Sequence, residues 1–318
     1  MDVNSQGVAA ALSKLKGADF LSSADLSSAE TYAVLRLASQ LKNNDRRIDL
    51  GNRVLGLIFT KASTRTRVSF QVAMARLGGQ TVDLNPQVTQ LGRGEPLKDT
   101  ARVLSRFCDV LAIRTFGQDE LEDYAKWSSI PVINALTDLE HPCQALADFL
   151  TMQEVFGRLE GQTLAYVGDG NNVAHSLMIC GALLGVNVRI GCPAGFEPLP
   201  TVVEKARELA ISGARIEVIN DPAESVKGAN AVYTDVWASM GQEEEQGIRK
   251  KAFVDFCLDM ELLSKADPGA IILHCLPAHR GEEISSEVME SDASRIFDQA
   301  ENRLHVQQAL LVALLGGL

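Results

Sequence analysis

The fold is decided by the segment Phe59-Thr60-Lys61-Ala62-Ser63-Thr64-Arg65-Thr66-Arg67-Val68-Ser69-Phe70. It follows an apolar run at residues 54–59, which predicts a buried strand. After it, Phe70, Met74 and Leu77 recur at helical spacing, and Gly78 predicts the end of a helix. The polar cluster therefore occupies a turn that leads from a strand into a helix.

This turn has the composition of a phosphate site. Ser63 is a suitable N-cap, and the backbone N–H groups that follow it point out of a helix end carrying the positive dipole. The guanidinium groups of Arg65 and Arg67 add charge and can bind phosphate oxygens with two donors each. The alternative is a solvated, well-capped helix start with no ligand.

Composition limits the class of protein. The chain has 318 residues, of which 46% are apolar, enough for two α/β domains with large cores. Its net charge of −11 disfavours a nucleic-acid surface or an anionic membrane surface as partner. The basic turn stands out against this acidic background, which favours a small anionic substrate.

Cysteine use and the chain ends predict a cytoplasmic location. The six cysteines include no CxxC pair and lack the dense spacing of a disulfide scaffold. Residues 1–17 do not resemble a signal peptide, and the apolar run at 309–318 is too short to span a bilayer. We expect a reduced, cytoplasmic protein without a membrane segment.

Strand and helix patterns alternate along the chain, which predicts an α/β fold with parallel sheets. Further strands are predicted at 81–84, 110–113, 131–134, 163–167, 187–190, 215–219, 231–234 and 270–273, and helices at 97–108, 143–156 and 199–212. A capping box formed by Ser27 and Glu30 predicts another helix that runs to about Lys42. Arg114 and Asp235 each fall at the carboxyl end of a predicted strand, where open α/β sheets bind ligands.

A series of motifs resembles, in order, those of the aspartate/ornithine carbamoyltransferase family. They are Ser63-Thr64-Arg65-Thr66-Arg67, Ile113-Arg114-Thr115, His141-Pro142-Cys143-Gln144, Gly168-Asp169-Gly170-Asn171-Asn172, Asp235-Val236-Trp237-Ala238-Ser239-Met240-Gly241, His274-Cys275-Leu276-Pro277 and Glu301-Asn302-Arg303. The resemblance implies transfer of a carbamoyl group from carbamoyl phosphate to the δ-amine of ornithine, giving citrulline and phosphate. It implies no cofactor and no metal.

The resemblance also implies a domain plan. Two Rossmann-like domains, each with a central parallel sheet, would be joined by two interdomain helices. Residues 1–140 would bind carbamoyl phosphate, residues 141–297 would bind ornithine, and a terminal helix at 298–318 would pack back on the first domain. The role in metabolism that it implies is arginine biosynthesis.

Residue roles carry over from the matching motifs. For carbamoyl phosphate, the resemblance implies binding by Ser63, Thr64, Arg65, Thr66, Gln90, Arg114, His141, Gln144, Cys275, Leu276 and Arg303. For ornithine, it implies binding by Asn172, Asp235, Ser239 and Met240. The residues implied in catalysis are Arg114, His141, Cys275 and Asp235. Arg67 is expected to support the turn.

One loop, at residues 85–96, is implied to act across subunits. Its sequence has turn residues at both ends and no periodicity, so by itself it reads as an ordinary surface loop. In the family the equivalent loop reaches a neighbouring active site. The resemblance thus implies a homotrimer in which Gln90 serves the adjacent protomer.

Other functions were weighed on the same residues. A dinucleotide fold fits Gly168 and Gly170, but Val173 occupies the third glycine position and no acidic ribose ligand follows. A zinc site at His274, Cys275 and His279 lacks a second ligand pair at usable spacing. Aspartate is disfavoured as acceptor, because its second carboxylate would call for a basic residue where the chain has Asp235 and Ser239-Met240-Gly241. Putrescine and an N-acylated ornithine remain possible acceptors, and a non-catalytic binding protein remains the rival from another class.

Overall fold

The computed structural model describes residues 5–85, 94–238 and 246–318. The chain divides into two compact units. Unit 1 comprises Met1–Ala147 and Asn302–Leu318, and unit 2 comprises Asp148–Glu301. Within the described ranges, no helix is both long and apolar enough to cross a membrane.

Unit 1 contains a parallel four-stranded sheet in the order β2-β1-β3-β4. Its strands are β1 Val54–Phe59, β2 Gln80–Leu84, β3 Val110–Arg114 and β4 Val132–Leu136. The helices before and between them are α1 Ser5–Ser13, α2 Ser28–Lys42, α3 Arg65–Arg76, α4 Leu97–Leu104 and α5 Gln118–Trp127. Leu111, Ile113 and Leu121 are fully buried in one core cluster of this unit. The central strands are buried along their length, as expected for strands covered on both faces.

Unit 2 contains a parallel five-stranded sheet in the order β7-β6-β5-β8-β9. Its strands are β5 Thr163–Val167, β6 Asn187–Gly191, β7 Ile216–Ile219, β8 Ala231–Thr234 and β9 Ile271–His274. The two longer helices that connect these strands lie between β5 and β6 and between β6 and β7. Val232, Phe253 and Ile272 lie in the buried core of unit 2.

Helices complete the chain. After α6 Pro142–Phe156 come α7 Asn172–Leu183, α8 Pro200–Leu209, α9 Pro222–Val226, α10 Gln246–Ala252, α11 Met260–Leu263, α12 Ser286–Met289 and α13 Ile296–Leu315. The boundaries between the units fall within α6 and α13, so these two helices carry the chain from one unit to the other. The predicted α/β fold with two parallel sheets and two connecting helices is confirmed.

Three local predictions were wrong. Ser63 is not the N-cap of α3, because the first helical hydrogen bond runs from the Val68 N–H to the Thr64 carbonyl at 2.9 Å. The N-cap is therefore Thr64, whose side chain makes no capping hydrogen bond. The helix predicted at 97–108 ends at Leu104, since the Ser105 hydroxyl bonds back to the carbonyl four residues earlier and the chain turns. The terminal helix predicted at 298–318 stops at Leu315, because Gly316 adopts φ +69°. Helix α5 was not predicted.

Gly170 is required by a close approach of two backbones. A Cβ added there would lie 2.2 Å from the nitrogen of Pro198 and 2.4 Å from the carbonyl carbon of Glu197. The Gly170 N–H also donates to the Phe196 carbonyl at 2.9 Å. Backbone packing within unit 2 therefore explains Gly170, and a dinucleotide-binding role is not needed to explain it.

We expect Gly170→Ala to lower the free energy of unfolding by about 1–3 kcal/mol, because the added methyl forces the 196–198 segment away. Urea unfolding checks this. Gly247→Ala is the matched control, since a Cβ at Gly247 meets nothing within 4 Å. Equal stability of the two variants would contradict the packing argument.

Candidate active site

In unit 1 the predicted phosphate ligands converge at one edge of the sheet. β1 and β3 are neighbours, while the chain continues from β1 to β2 on one side and from β3 to β4 on the other. Such a reversal opens a crevice beyond the carboxyl ends of the strands. The turn at 60–64 follows β1, Arg114 is the last residue of β3, and His141 follows β4 just before α6.

The β1 turn is held against β3 and α13. The Thr60 N–H donates to the Arg114 carbonyl at 2.9 Å, which fixes the start of the turn. The Arg303 guanidinium donates to the Thr66 hydroxyl at 2.5 Å, and both residues are buried. Arg67 pairs with Asp83 and lies over the Phe59 ring, as expected of a residue that supports the turn. Two predicted ligands distant in sequence, Thr66 and Arg303, are thus in contact.

His141 lies among cations. Its pKa is held well below the usual value, first by burial and then by Arg303, Arg114 and Arg65. The imidazole is therefore neutral at pH 7 and offers one N–H donor and one acceptor. Gln144 lies one helical turn later and is buried, and its backbone N–H donates to the His141 carbonyl at 3.0 Å. This edge of unit 1 can bind an anion with several donors.

The depressed pKa of His141 predicts a pH effect on stability. In the unfolded chain a histidine takes up a proton near pH 6.5, whereas folded His141 does not, so stability is lost as the pH falls through that value. Between pH 6 and 5 we expect the natural chain to lose about 1 kcal/mol more per pH unit than His141→Gln. Urea unfolding of both chains at pH 7.5, 6.0 and 5.0 checks this, and parallel pH dependences would contradict it.

In unit 2 the predicted amino-acid ligands also lie beyond strand ends. β5 and β8 are adjacent although β6 continues the chain on the opposite side of β5, which makes a second crevice. Asp235 follows β8 directly and is buried. Its carboxylate accepts from the Cys275 thiol at 3.0 Å and from the Asn171 amide at 3.1 Å. These two partners follow β9 and β5, so three strand ends meet at Asp235.

The Cys275 thiol is protonated in this setting. Burial, followed by the Asp235 carboxylate, raises its pKa well above the usual value. The neighbouring His274 accepts from the Leu276 N–H through Nδ1 at 2.9 Å, and its Nε2 faces Glu283 at 3.1 Å. This arrangement holds the Cys275 segment and leaves Asp235 as an acceptor for a cationic or amine group.

Metal ligation is also possible on distance alone. In the described part of the chain, Asp235, His274 and Cys275 bring one ligand atom each within 4.8 Å of the others. Both ring nitrogens of His274 already contact other groups, however, and the thiol is protonated. The set fits an amine better than a metal ion. His279, the third residue weighed for zinc, instead donates its N–H to Glu283 at 2.5 Å.

The remaining predicted residues lie at a helix start, in the β1 turn or outside the described residues. Asn172 is the first residue of α7 and is half-buried, whereas its neighbour Asn171 caps that helix and contacts Asp235. Ser63 is half-buried and Arg65 is exposed in the β1 turn. Gln90, Ser239 and Met240 lie outside the described residues.

The role of Asn171 was not predicted from the sequence, where only its neighbour Asn172 was named as an ornithine ligand. The N-cap preference of asparagine could have predicted it, because an asparagine immediately before a helix accepts hydrogen bonds from the first free backbone N–H groups. Its side-chain oxygen accepts from Val173 N–H at 2.9 Å and Ala174 N–H at 3.2 Å, which leaves its amide for Asp235.

Comparison with known families accounts for both crevices. Residues 18–154 match the model described as aspartate/ornithine carbamoyltransferase, carbamoyl-P binding domain, and residues 160–314 match the Asp/Orn binding domain of the same family. The chain belongs to the aspartate/ornithine carbamoyltransferase family. The resemblance inferred from the motifs is therefore confirmed, and the family's two named domains correspond to the two halves of the chain that carry the crevices.

Individual members of the family are similar over the whole chain. An ornithine carbamoyltransferase of Prochlorococcus marinus (strain MIT 9313) is 77% identical over 318 residues, covering 100% of both chains. One from Parasynechococcus marenigrum (strain WH8102) is 79% identical over 312 residues, 98% of each. Among solved structures, the ornithine carbamoyltransferase from Pyrococcus furiosus matches with a TM-score of 0.92 at 48% identity, covering 96% of this chain and 99% of that one.

Proposed function

We propose that this carbamoyltransferase family member transfers the carbamoyl group of carbamoyl phosphate to the δ-amine of L-ornithine, giving L-citrulline and phosphate. The observation that carries the choice of acceptor is the buried Asp235 carboxylate with its Cys275 and Asn171 donors. A carboxylate there attracts an ammonium group and repels the second carboxylate of aspartate. Relatives named ornithine carbamoyltransferase at 77% and 79% identity support the same acceptor.

Carbamoyl phosphate would be bound mainly by unit 1. Ser63, Thr64, Arg65 and Thr66 would contact the phosphate through hydroxyls, the guanidinium and backbone N–H groups, with Arg303 completing the charge. Arg114 and His141 would donate to the carbamoyl oxygen, and Gln144 would accept from the carbamoyl NH₂. The lowered pKa of His141 supports this role, since the N–H of a neutral imidazole donates a hydrogen bond to an oxygen without repelling the nearby arginines.

The reaction would be attack of the δ-amine on the carbamoyl carbon. The negative charge that develops on the carbonyl oxygen would be stabilised by Arg114, His141 and Thr66, each well-placed donor contributing roughly 3–4 kcal/mol. An alkylammonium with a pKa near 10.4 must first lose a proton, at a cost of about 3 kcal/mol at pH 8. Asp235 and Cys275 would hold the amine, whose first proton would pass to solvent before attack. As the C–N bond forms and the C–O bond to phosphate breaks, the departing phosphate would accept the second proton from the nitrogen.

Ornithine recognition and assembly complete the proposal. Asn172 would bind the α-amino-acid end with Ser239 and Met240, while Cys275 and Leu276 would also contact the carbamoyl group. We further propose a cytoplasmic homotrimer in which Gln90 serves the neighbouring site, acting in arginine biosynthesis. The domain limits proposed are 1–140 with 298–318 for carbamoyl phosphate and 141–297 for ornithine.

The test is carbamoylation of four acceptors offered in parallel with carbamoyl phosphate. Ornithine, aspartate, putrescine and N-acetylornithine each give a ureido product that a colorimetric assay distinguishes from phosphate release alone. We expect turnover with ornithine and at least a hundredfold lower kcat/KM with the others, because only ornithine offers both a side-chain amine and a free α-amino acid.

Two outcomes would overturn parts of this proposal. Faster turnover of putrescine or N-acetylornithine would show that the chain is a carbamoyltransferase with that amine as its acceptor. Binding of carbamoyl phosphate without turnover of any amine would favour a non-catalytic binding protein. Size measurement by light scattering tests the trimer separately, and a monomer with full activity would remove the proposed role of Gln90.

A further inference from the structure

Lys61 is a buried cation that the proposed chemistry does not use. It is the second residue after β1, and its side chain is only 4% exposed. Burying an ammonium group costs free energy unless another group compensates its charge. Its surroundings therefore indicate what it stabilises.

Two groups from different loops compensate Lys61. Its ammonium pairs with the carboxylate of Asp138, two residues after the end of β4. It also lies 4.3 Å from the centre of the Phe116 ring, two residues after the end of β3, a cation–π geometry. The two partner loops are joined to each other, because Asp138 N–H donates to the Phe116 carbonyl at 2.9 Å.

The three loops that meet at Lys61 are those that carry the unit 1 crevice. Ser63 lies two residues after Lys61, Arg114 two residues before Phe116, and His141 three residues after Asp138. All three loops follow the carboxyl ends of the adjacent strands β1, β3 and β4. One ammonium group thus connects the backbone segments that present the serine, the arginine and the histidine.

We propose that Lys61 is a positioning residue for the unit 1 crevice that would bind carbamoyl phosphate, because it links the loops after β1, β3 and β4. The proposal rests on the proposed function, since it takes an acyl phosphate as the ligand of that crevice. Lys61 acts through the loops and does not touch the substrate. Its loss should therefore weaken donor binding while leaving the acceptor site of unit 2 unchanged.

Lys61 and Asp138 differ in burial, so removing one has a different consequence from removing the other. Asp138 is 62% exposed on its side chain, so losing Lys61 leaves a carboxylate that water can solvate, whereas losing Asp138 leaves a buried ammonium with only the Phe116 ring. Lys61→Met keeps the apolar stem and removes the charge. It therefore releases the tether at a small cost in stability.

The experiment compares Lys61→Met and Lys61→Arg with the natural chain in steady-state kinetics with both substrates. For Lys61→Met we expect KM for carbamoyl phosphate to rise about tenfold or more, because misplaced ligands bind it less well. KM for ornithine should stay within about twofold, and Lys61→Arg should recover most of the donor affinity. Lys126→Met is the matched control, since Lys126 also lies over an aromatic ring, 5.7 Å from the centre of Trp127.

Calorimetric titration with inorganic phosphate gives a second readout that needs no turnover. The Kd for phosphate should rise in Lys61→Met in parallel with KM for carbamoyl phosphate, and not in Lys126→Met. If the natural chain bound phosphate but carbamoylated no amine, the proposed function would fail while this comparison would still decide the role of Lys61. If Lys61→Met did not fold, Phe116→Leu would replace it, since Phe116 is exposed and Lys61 keeps Asp138, with the same direction expected.

Unchanged donor KM and phosphate Kd in a folded Lys61→Met, with a loss confined to thermal stability, would overturn the proposal. An equal rise of both substrates' KM values would do so too, because a tether confined to the unit 1 loops predicts a selective effect. Failure of Lys61→Arg to recover any affinity would also count against it, since arginine can form both contacts.

Discussion

Arg114→Gln should lower kcat by about 10²–10³-fold, because it removes the charged donor that we propose stabilises the oxygen where negative charge develops. Arg114 is buried at the end of β3 and is one of the three arginines that depress the pKa of His141. The substitution keeps a polar side chain of moderate length but removes the charge. Stopped-time citrulline assays at saturating concentrations of both substrates measure the effect directly.

A second arginine of unit 1 provides the control for this prediction. Arg102 is exposed on α4 and its guanidinium lies 4.5 Å from the centre of the Trp127 ring. Arg102→Gln should keep kcat within about twofold, since exposed contacts of this kind contribute little. If the two variants lost activity equally, or if Arg114→Gln raised only KM, the role of Arg114 in the transition state would be wrong.

Asp235→Asn should lower kcat/KM for ornithine by about 10³-fold, since it removes the carboxylate that we propose holds the amine. The asparagine is nearly isosteric and can still accept from Asn171, so the fold of unit 2 should persist. The loss of the carboxylate also lowers the pKa of Cys275, because Asp235 is one of the causes that raise it. Kinetics with ornithine, and the rate of Cys275 alkylation at pH 8–9, measure both consequences.

Asp255→Asn is the control for the carboxylate, since Asp255 is exposed in the same unit. It should leave kcat/KM for ornithine and the alkylation rate unchanged. KM for carbamoyl phosphate should change little in either variant, because Asp235 belongs to the amino-acid crevice. A comparable rise in KM for both substrates would instead indicate that Asp235 has a general structural role.

The elements that a sequence predicts well are those set by local pattern. The strands before Ser63 and Asp235 were identified from apolar runs, and both residues were placed at strand ends where the sheets open. The helix that starts after Ser27 was identified from its capping box, which the structure reproduces over Ser28–Lys42. These features depend on neighbours within a few positions.

The elements that escaped prediction depend on distant neighbours or on single backbone conformations. The role of Lys61 could not be predicted from neighbouring residues, because its partners Phe116 and Asp138 lie 55 and 77 positions away. The N-cap of α3 lies one residue later than predicted because the Thr64 carbonyl accepts the first helical hydrogen bond, from the Val68 N–H at 2.9 Å. No residue pattern distinguishes these cases before the chain has folded.

The discontinuity of unit 1 has a consequence for how the chain is made. The contact between Thr66 and Arg303 spans 237 positions, and Asn302–Leu318 belongs to the same unit as the first 147 residues. Unit 2 is continuous, so all of its residues are synthesised before the last piece of unit 1. We therefore expect the anion crevice of unit 1 to form only after unit 2 has been synthesised, because it needs Arg303 of α13.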